Sequence, residues 1–166
     1  MNKEKIIISV LSWITVVFTL LIIVNFSLEN GNKSTNTSEN VVDSIVEVMP
    51  NKDTITQIEK NTLTYSIRKV AHFGIYMLLG FAMINAVTVT LNKEYFILSA
   101  IISIVFPFFF SIFDEFVVQS YSQGRVPLWT DVFIDSVGVI VGIILFITIM
   151  SIYYIIRKNI ILKRKS

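Results

Sequence analysis

The chain has 166 residues, of which 54% are hydrophobic, and its formal net charge is +2. This composition excludes an ordinary soluble domain, and so small a net charge, with no basic patch among aromatics, argues against a nucleic-acid partner. Cysteine is absent, which excludes disulfide bonds, thiolate metal sites and thiol catalysis.

Four long apolar segments predict an all-α membrane protein, a bundle of four transmembrane helices that forms a single domain over residues 1–166. The predicted spans cover residues 6–26, 70–91, 95–113 and 132–156. The first apolar segment is longer than the core of a signal peptide and lacks a small-x-small cleavage pattern. An uncleaved span is therefore favoured over a signal peptide. Pro107 is expected to bend the third span.

A long polar region, residues 27–65, separates the first two spans, and its opening residues are typical of a loop. Ser38 is a candidate N-cap for a short amphipathic helix that Pro50 would end. The apolar residues of this helix at helical spacing are Val41, Val42, Ile45, Val46 and Met49. Two interpretations fit this helix: it lies on the membrane surface, or it is a cover packed on the protein's own bundle.

The basic residues near the ends of the spans predict that both termini are cytoplasmic. They are Lys3 and Lys5 before the first span, and Arg157, Lys158, Lys163, Arg164 and Lys165 after the last. An even number of spans agrees with termini on one side. The loops at residues 27–65 and 114–131 are then extracytoplasmic.

Ionisable residues from three segments are expected to meet at the outer end of the bundle. His72 begins the second span, Asp114 and Glu115 end the third, and Asp131 opens the fourth. Arg125 lies in the loop between the third and fourth spans. Charge beside or inside hydrophobic sequence is costly and usually marks function. We therefore predict a polar site at this end.

The spacing of these residues predicts which of them share a helix face, and their chemistry predicts their roles. A spacing of four places Arg68, His72 and Tyr76 on one helix face, Ser111, Glu115 and Gln119 on another, and Asp131 and Asp135 on a third. The residues with general acid or base chemistry, and so the catalytic candidates, are His72, Asp114, Glu115 and Asp131. The substrate-binding candidates are Arg68, Lys69, Tyr76, Gln119, Arg125 and Asp135, with the arginines suited to phosphate or carboxylate.

Three further interpretations concern the same residues. Adjacent Asp114 and Glu115 point to different sides of a helix, and Glu115, which shares a face with Gln119, is expected to point inward. His72 together with Asp and Glu side chains could ligate a divalent metal, but no metal-ligand spacing such as HExxH is present, so no metal site is predicted and no cofactor is identified. Gly138 and Gly142, four apart, favour close helix packing over chemistry.

Two blocks of the chain carry a specific pattern, RKVAHFGIYMLLG at residues 68–80 and DEFVVQSYSQGRVPLWTDVFIDSVGVIVG at residues 114–142. Together they resemble the VanZ-like family of bacterial membrane proteins, whose pattern is K-x-x-H-F-x-x-Y, D-E-x-x-Q, a glycine–arginine loop and D-x-x-x-N-x-x-G-x-x-x-G. The matching positions are Lys69, His72, Phe73, Tyr76, Asp114, Glu115, Gln119, Gly124, Arg125, Asp131, Gly138 and Gly142. Asp135 stands where the family usually has asparagine.

The resemblance implies a teicoplanin-resistance type of protein in a bacterial cell membrane. The protein is expected to act on a cell-envelope molecule at the outer face of the membrane and to lower susceptibility to teicoplanin-like glycopeptides. If it is an enzyme, the expected reaction is acid–base chemistry on a lipid-linked precursor. The expected partners are membrane lipids and either a lipid-linked cell-wall precursor or a lipoglycopeptide. The alternative is a non-catalytic binding or scaffolding protein whose charges form a structural ion-pair network. Transport is less favoured, because the polar residues crowd one end of the bundle.

Overall fold

The protein is described from a computed structural model, which covers residues 3–50, 54–122 and 124–163 and contains helices and no strands in those ranges. The long helices, in chain order, are α1 (Lys3–Leu28), α2 (Gly31–Glu47), α3 (Gln57–Leu91), α4 (Phe96–Phe113) and α5 (Trp129–Lys163). A short 3-10 helix, Lys93–Tyr95, joins α3 to α4. Arg164 and Lys165, counted above in the C-terminal charge, lie outside the described residues.

Four helical segments are long and apolar enough to cross a membrane, which confirms the predicted all-α membrane fold. They are α1, α3, α5 and the segment Phe96–Tyr121, which begins with α4. Large apolar side chains such as Phe18 and Phe109 are more than half exposed on the outward faces of these helices. Such faces suit contact with lipid, so the chain is a membrane protein.

Helix α3 begins at Gln57, well before the predicted start of the second span at residue 70, so the last part of the polar region at residues 27–65 is helical. Thr56 and Glu59 form a capping box: the backbone N–H of Glu59 donates to Thr56 Oγ1 (3.3 Å), and the backbone N–H of Thr56 donates to Glu59 Oε2 (2.7 Å). This box satisfies N–H groups that a helix start leaves without partners. The signal, Thr-x-x-Glu, was present in the sequence.

Helix α2 also begins earlier than predicted, at Gly31, so Ser38 is not an N-cap. Ser38 lies inside the helix, where its hydroxyl donates to the carbonyl of Ser34 (3.1 Å). Val42 and Val46, four apart, are buried where α2 packs against α3. Burial of this face stabilises a helix whose Ser, Thr and Asn residues have weak intrinsic helix propensity.

Helix α3 lies at the centre of the bundle, and its closest neighbour is α5. A Cβ atom on Gly142 would lie 2.0 Å from the carbonyl oxygen of Met77, and one on Gly80 would lie 2.3 Å from that of Val139. Gly138 is similarly restricted. The two backbones can approach this closely only because these positions have no side chain. Gly138 and Gly142 were predicted to serve packing, whereas Gly80 was overlooked.

The other side of α3 packs against hydroxyl groups of α1. Asn85 Nδ2 donates to Ser12 Oγ (3.1 Å), and the hydroxyls of Ser9 and Thr90 are 3.0 Å apart. The residues that α1 buries recur at three- and four-residue steps: Ser9, Ser12, Val16, Thr19, Ile23 and Ser27. Polar contacts between membrane helices therefore hold α1 against α3.

Candidate functional site

The predicted site residues lie at one end of the bundle, which we call the polar end and define by Ser27, His72, Asp114 and Asp135. At this end α4 passes into a π-helical turn, Asp114–Val118, which widens the helix by one residue per turn. Both adjacent carboxylates of the turn are fully buried, Asp114 at 0% and Glu115 at 1% exposure. Turns of this kind are often found at functional sites.

Asp114 joins three helices. Its Oδ2 accepts a hydrogen bond from the Ser27 hydroxyl of α1 (2.7 Å) and lies 3.4 Å from the Tyr76 hydroxyl of α3, which donates to it. Its other oxygen, Oδ1, is buried and has no hydrogen-bond partner among the described residues. One oxygen of Asp114 is therefore held in place and the other is left for an incoming donor.

Asp135, on α5, has the same arrangement. The Ser111 hydroxyl donates to its Oδ2 (2.7 Å), and its Oδ1 lies 3.5 Å from Nδ1 of His72. That separation is within ion-pair range but too long for a good hydrogen bond. Nδ1 of His72 and Oδ1 of Asp135 are buried and, within the part of the chain described, neither has a hydrogen-bond partner. His72 and the two aspartates thus form a cluster whose polar atoms are incompletely satisfied.

Glu115 belongs to a different arrangement, although the sequence favoured it as the inward-pointing carboxylate. Its Oε1 accepts a hydrogen bond from the backbone N–H of Leu128 (2.8 Å), and its Oε2 accepts one from Gln119 Nε2. Arg125 in turn donates to Gln119 Oε1 (3.2 Å) and to the carbonyl of Phe26 (2.9 Å). Both oxygens of Glu115 are therefore used to hold the loop before α5, and Arg125 ties the same loop to α1.

Asp131 is also engaged, because Lys69 of α3 forms an ion pair with its Oδ1. Both side chains are mostly buried, at 14% exposure for Lys69 and 7% for Asp131. The ammonium of Lys69 also lies 4.8 Å from the ring centre of Tyr65, a cation–π distance. The pair fixes the start of α5 to α3, so Asp131 has a structural contact at this position.

Removing one member of this buried pair is expected to be strongly destabilising. Lys69→Met should lower the free energy of unfolding by about 3 kcal/mol, because Asp131 is left buried without a counter-charge. Lys69→Met/Asp131→Leu should recover part of this loss. Unfolding in mixed detergent micelles, followed by circular dichroism, measures both.

The exposed pair Lys60–Asp43 provides the matched control, with its side chains 35% and 62% exposed. Lys60→Met should cost less than about 1 kcal/mol, since water already solvates both charges. Equal losses from Lys69→Met and Lys60→Met would contradict a buried structural pair at Lys69.

A cavity of about 390 Å³ opens beside the cluster, between α1, α2 and α3. Its polar wall carries Arg68, His72, Tyr76 and Arg125. Its apolar wall consists of Ile23, Phe26, Val41, Ile67, Ala71, Ile75 and Leu78. One cavity thus combines cationic groups with a surface suited to hydrocarbon, and we call it the polar-end cavity.

The two arginines of this cavity are not neutralised by a paired carboxylate. Within the described residues Arg68 has no hydrogen-bond or ion-pair partner, and Nε of Arg125 is buried without one. Burial lowers the pKa of the Arg125 guanidinium, and the nearby charge of Arg68 lowers it further. Glu29 also lines the cavity but is paired with Lys33 (3.0 Å). The cavity is therefore electropositive and favours an anion.

Two serines of this site, Ser27 and Ser111, had no predicted role, and Ser111 was predicted only as a member of the helix face of Glu115 and Gln119. Ser111 occupies the face of α4 that also buries Ser99, Ser103 and Pro107, at a constant spacing of four. That spacing and the small-residue spacing of α1 were the available signals. In the described residues no group of three His, Asp or Glu side chains is arranged to hold a metal ion.

The chain matches one known protein family over most of its length. Residues 11–152 match the family described as VanZ/LLP1. No curated protein and no solved structure matches the chain.

Proposed function

The chain belongs to the VanZ/LLP1 family, and from this membership we propose that it acts at the outer face of a bacterial cell membrane on a cell-envelope molecule. In this proposal it lowers susceptibility to teicoplanin-like glycopeptide antibiotics. The basic residues that flank the first and last spans favour cytoplasmic termini, and the polar end then faces outward.

The observation that carries the proposal is the mixed character of the polar-end cavity. Arg68 offers a forked donor that matches a phosphate or a carboxylate, and Arg125 adds a second positive charge beside it. The apolar wall of α1, α2 and α3 offers Ile75 and Leu78 to a hydrocarbon chain. A lipid-linked cell-wall precursor and a lipid-tailed glycopeptide both combine an anionic or polar head with a long apolar tail.

The His72 cluster supplies groups suited to proton transfer beside this cavity. His72 lines the cavity and lies 3.5 Å from Asp135, and Tyr76 links the cavity to Asp114. Imidazole and carboxyl groups are the side chains that serve most often as general acids and bases, and a carboxylate beside a histidine can orient its ring. Acid–base chemistry on the bound head group, with His72 as the group that reaches it, fits this arrangement.

A non-catalytic role is the second candidate, and a different observation favours it. Glu115, Asp131, Gln119 and Lys69 are all engaged in contacts that join helices or hold a loop. In this alternative the polar end is a rigid scaffold that binds the envelope molecule and shields it without changing it.

Arg68→Gln tests whether the cavity binds the proposed ligand, because this change removes a charge that has no partner among the described residues. In a teicoplanin-susceptible bacterium we expect the wild-type chain to raise the inhibitory concentration of teicoplanin and Arg68→Gln to abolish most of that increase. A lost charge-assisted hydrogen bond, about 1.5–3 kcal/mol, corresponds to roughly tenfold or more in binding. Protein levels are compared by immunoblot of membranes.

Lys60→Gln is the control, since it removes one positive charge from α3 at a position outside the cavity. It should leave resistance unchanged. Equal resistance from wild type and Arg68→Gln would exclude the cavity as the binding site, and no effect of the wild-type chain would exclude the proposed function.

A further inference from the structure

A second cavity, of about 860 Å³, opens at the opposite end of the bundle, where Lys5 contacts Asn92. It lies between the end of α3, the start of α4 and the last turns of α5, and nothing in the polar-end chemistry uses it. Its wall is mainly apolar and includes Phe96, Phe146 and Met150. We call it the terminal cavity, because α1 begins and α5 ends at this end of the bundle.

The rim of the terminal cavity is basic and aromatic. Arg157 and Lys158 line it together with Tyr153 and Tyr154, and no acidic residue among those described does. In the described ranges neither Arg157 nor Lys158 has an ion-pair partner. Tyrosine is enriched where a membrane meets water, and basic pockets between membrane helices on the cytoplasmic side bind the head groups of anionic lipids.

A buried hydroxyl lies between the rim and the apolar wall. Thr88 lines the cavity, and its Oγ1 is buried with no hydrogen-bond partner among the residues described. Helices α3 and α5 run parallel, and the rings of Phe81 and Phe146 meet with centroids 5.5 Å apart. Thr88 lies seven residues after Phe81, and Tyr153 lies seven residues after Phe146, so Thr88 and Tyr153 are at the same height in the bundle. Arg157 follows Tyr153 by one turn of α5, which places it about 6 Å further along the helix axis.

We propose that the terminal cavity binds one anionic phospholipid. Its phosphate contacts Arg157 and Lys158, its acyl chains lie along Phe146 and Met150, and Thr88 donates a hydrogen bond to an ester carbonyl one turn deeper. The charged, polar and apolar parts of the lipid thereby contact the basic, hydroxyl and apolar parts of the cavity. A second copy of the chain fits the surface poorly, because a two-fold contact would bring Arg157 and Lys158 against their own counterparts.

Native mass spectrometry of the detergent-purified chain tests this proposal with two lipids of identical acyl chains. Phosphatidylglycerol should be retained one per chain, and phosphatidylcholine should be retained far less. Arg157→Gln/Lys158→Gln should reduce phosphatidylglycerol retention by about tenfold or more, as the loss of two membrane-facing basic residues implies. Both side chains are exposed, so the variant should fold. Thr88→Val should reduce retention several-fold with no change of charge.

Two controls show whether retention depends on the terminal cavity rather than on total positive charge. Lys33→Gln/Lys60→Gln removes the same charge near α2, outside the terminal cavity, and should retain phosphatidylglycerol fully. Glycerol phosphate, which lacks acyl chains, should not displace the lipid. The proposal is overturned by equal retention of both lipids, by undiminished retention in Arg157→Gln/Lys158→Gln, or by a dimer that excludes the lipid.

Discussion

Under the proposed function, replacing Asp114 by asparagine is expected to reduce teicoplanin resistance to that of cells lacking the protein, while the protein still folds. The amide oxygen of asparagine can accept the hydrogen bonds that Asp114 Oδ2 receives from Ser27 and Tyr76. The buried Oδ1, in contrast, would be replaced by an NH₂ group, which can neither carry charge nor accept a proton. If the protein acts by acid–base chemistry, the loss of such a group is worth about 10²–10⁴-fold in rate.

The measurement is the inhibitory concentration of teicoplanin, alongside the amount and thermal stability of the variant in membranes and detergent. Asp43→Asn is the matched control, because it makes the same chemical change at an exposed carboxylate of α2. It should have no effect on resistance. Full resistance with Asp114→Asn would exclude catalysis by this carboxylate, and loss of folded protein would favour the structural network instead.

Gly142→Ala is expected to have the largest effect on stability. The added methyl would lie 2.0 Å from the carbonyl oxygen of Met77 and 2.9 Å from the backbone nitrogen of Phe81. Both atoms belong to the backbone of α3, so no side-chain rotation can relieve the clash and the helices must separate. Overpacking usually costs about 1–3 kcal/mol, and at this contact we expect a loss at or above the upper end. Unfolding in mixed micelles measures it.

Gly74→Ala is the control in the same bundle. Gly74 is a helical glycine of α3, and a Cβ atom there would meet nothing within 4 Å. Alanine favours the helix over glycine by up to about 1 kcal/mol, so this variant should be neutral or slightly stabilised. If Gly142→Ala were no less stable than Gly74→Ala, the close approach of α3 and α5 would be wrong.

Much of the fold was predictable because a membrane allows few backbone conformations. A long apolar segment in lipid must satisfy its own backbone hydrogen bonds, and a helix does so locally. The spans at residues 6–26 and 95–113 accordingly agree with α1 and α4 within a few residues. The start of α3 was missed although the Thr56–Glu59 capping box is visible in sequence. The start of α2 at Gly31 depends on packing against α3, which no local pattern encodes.

By itself, the sequence determined the number of spans and the end of the bundle at which His72, Asp114 and Asp131 would gather, since helix direction and spacing follow from local periodicity. The tertiary structure decided which side chains meet. It placed Glu115 and Asp131 in structural contacts, and it brought Ser27 of α1 to Asp114 and His72 of α3 to Asp135. Such pairings depend on how far each helix is rotated and how closely the helices approach. The glycine contacts and the π-helical turn set both, and the spacing of residues within one helix does not reveal distances between remote segments.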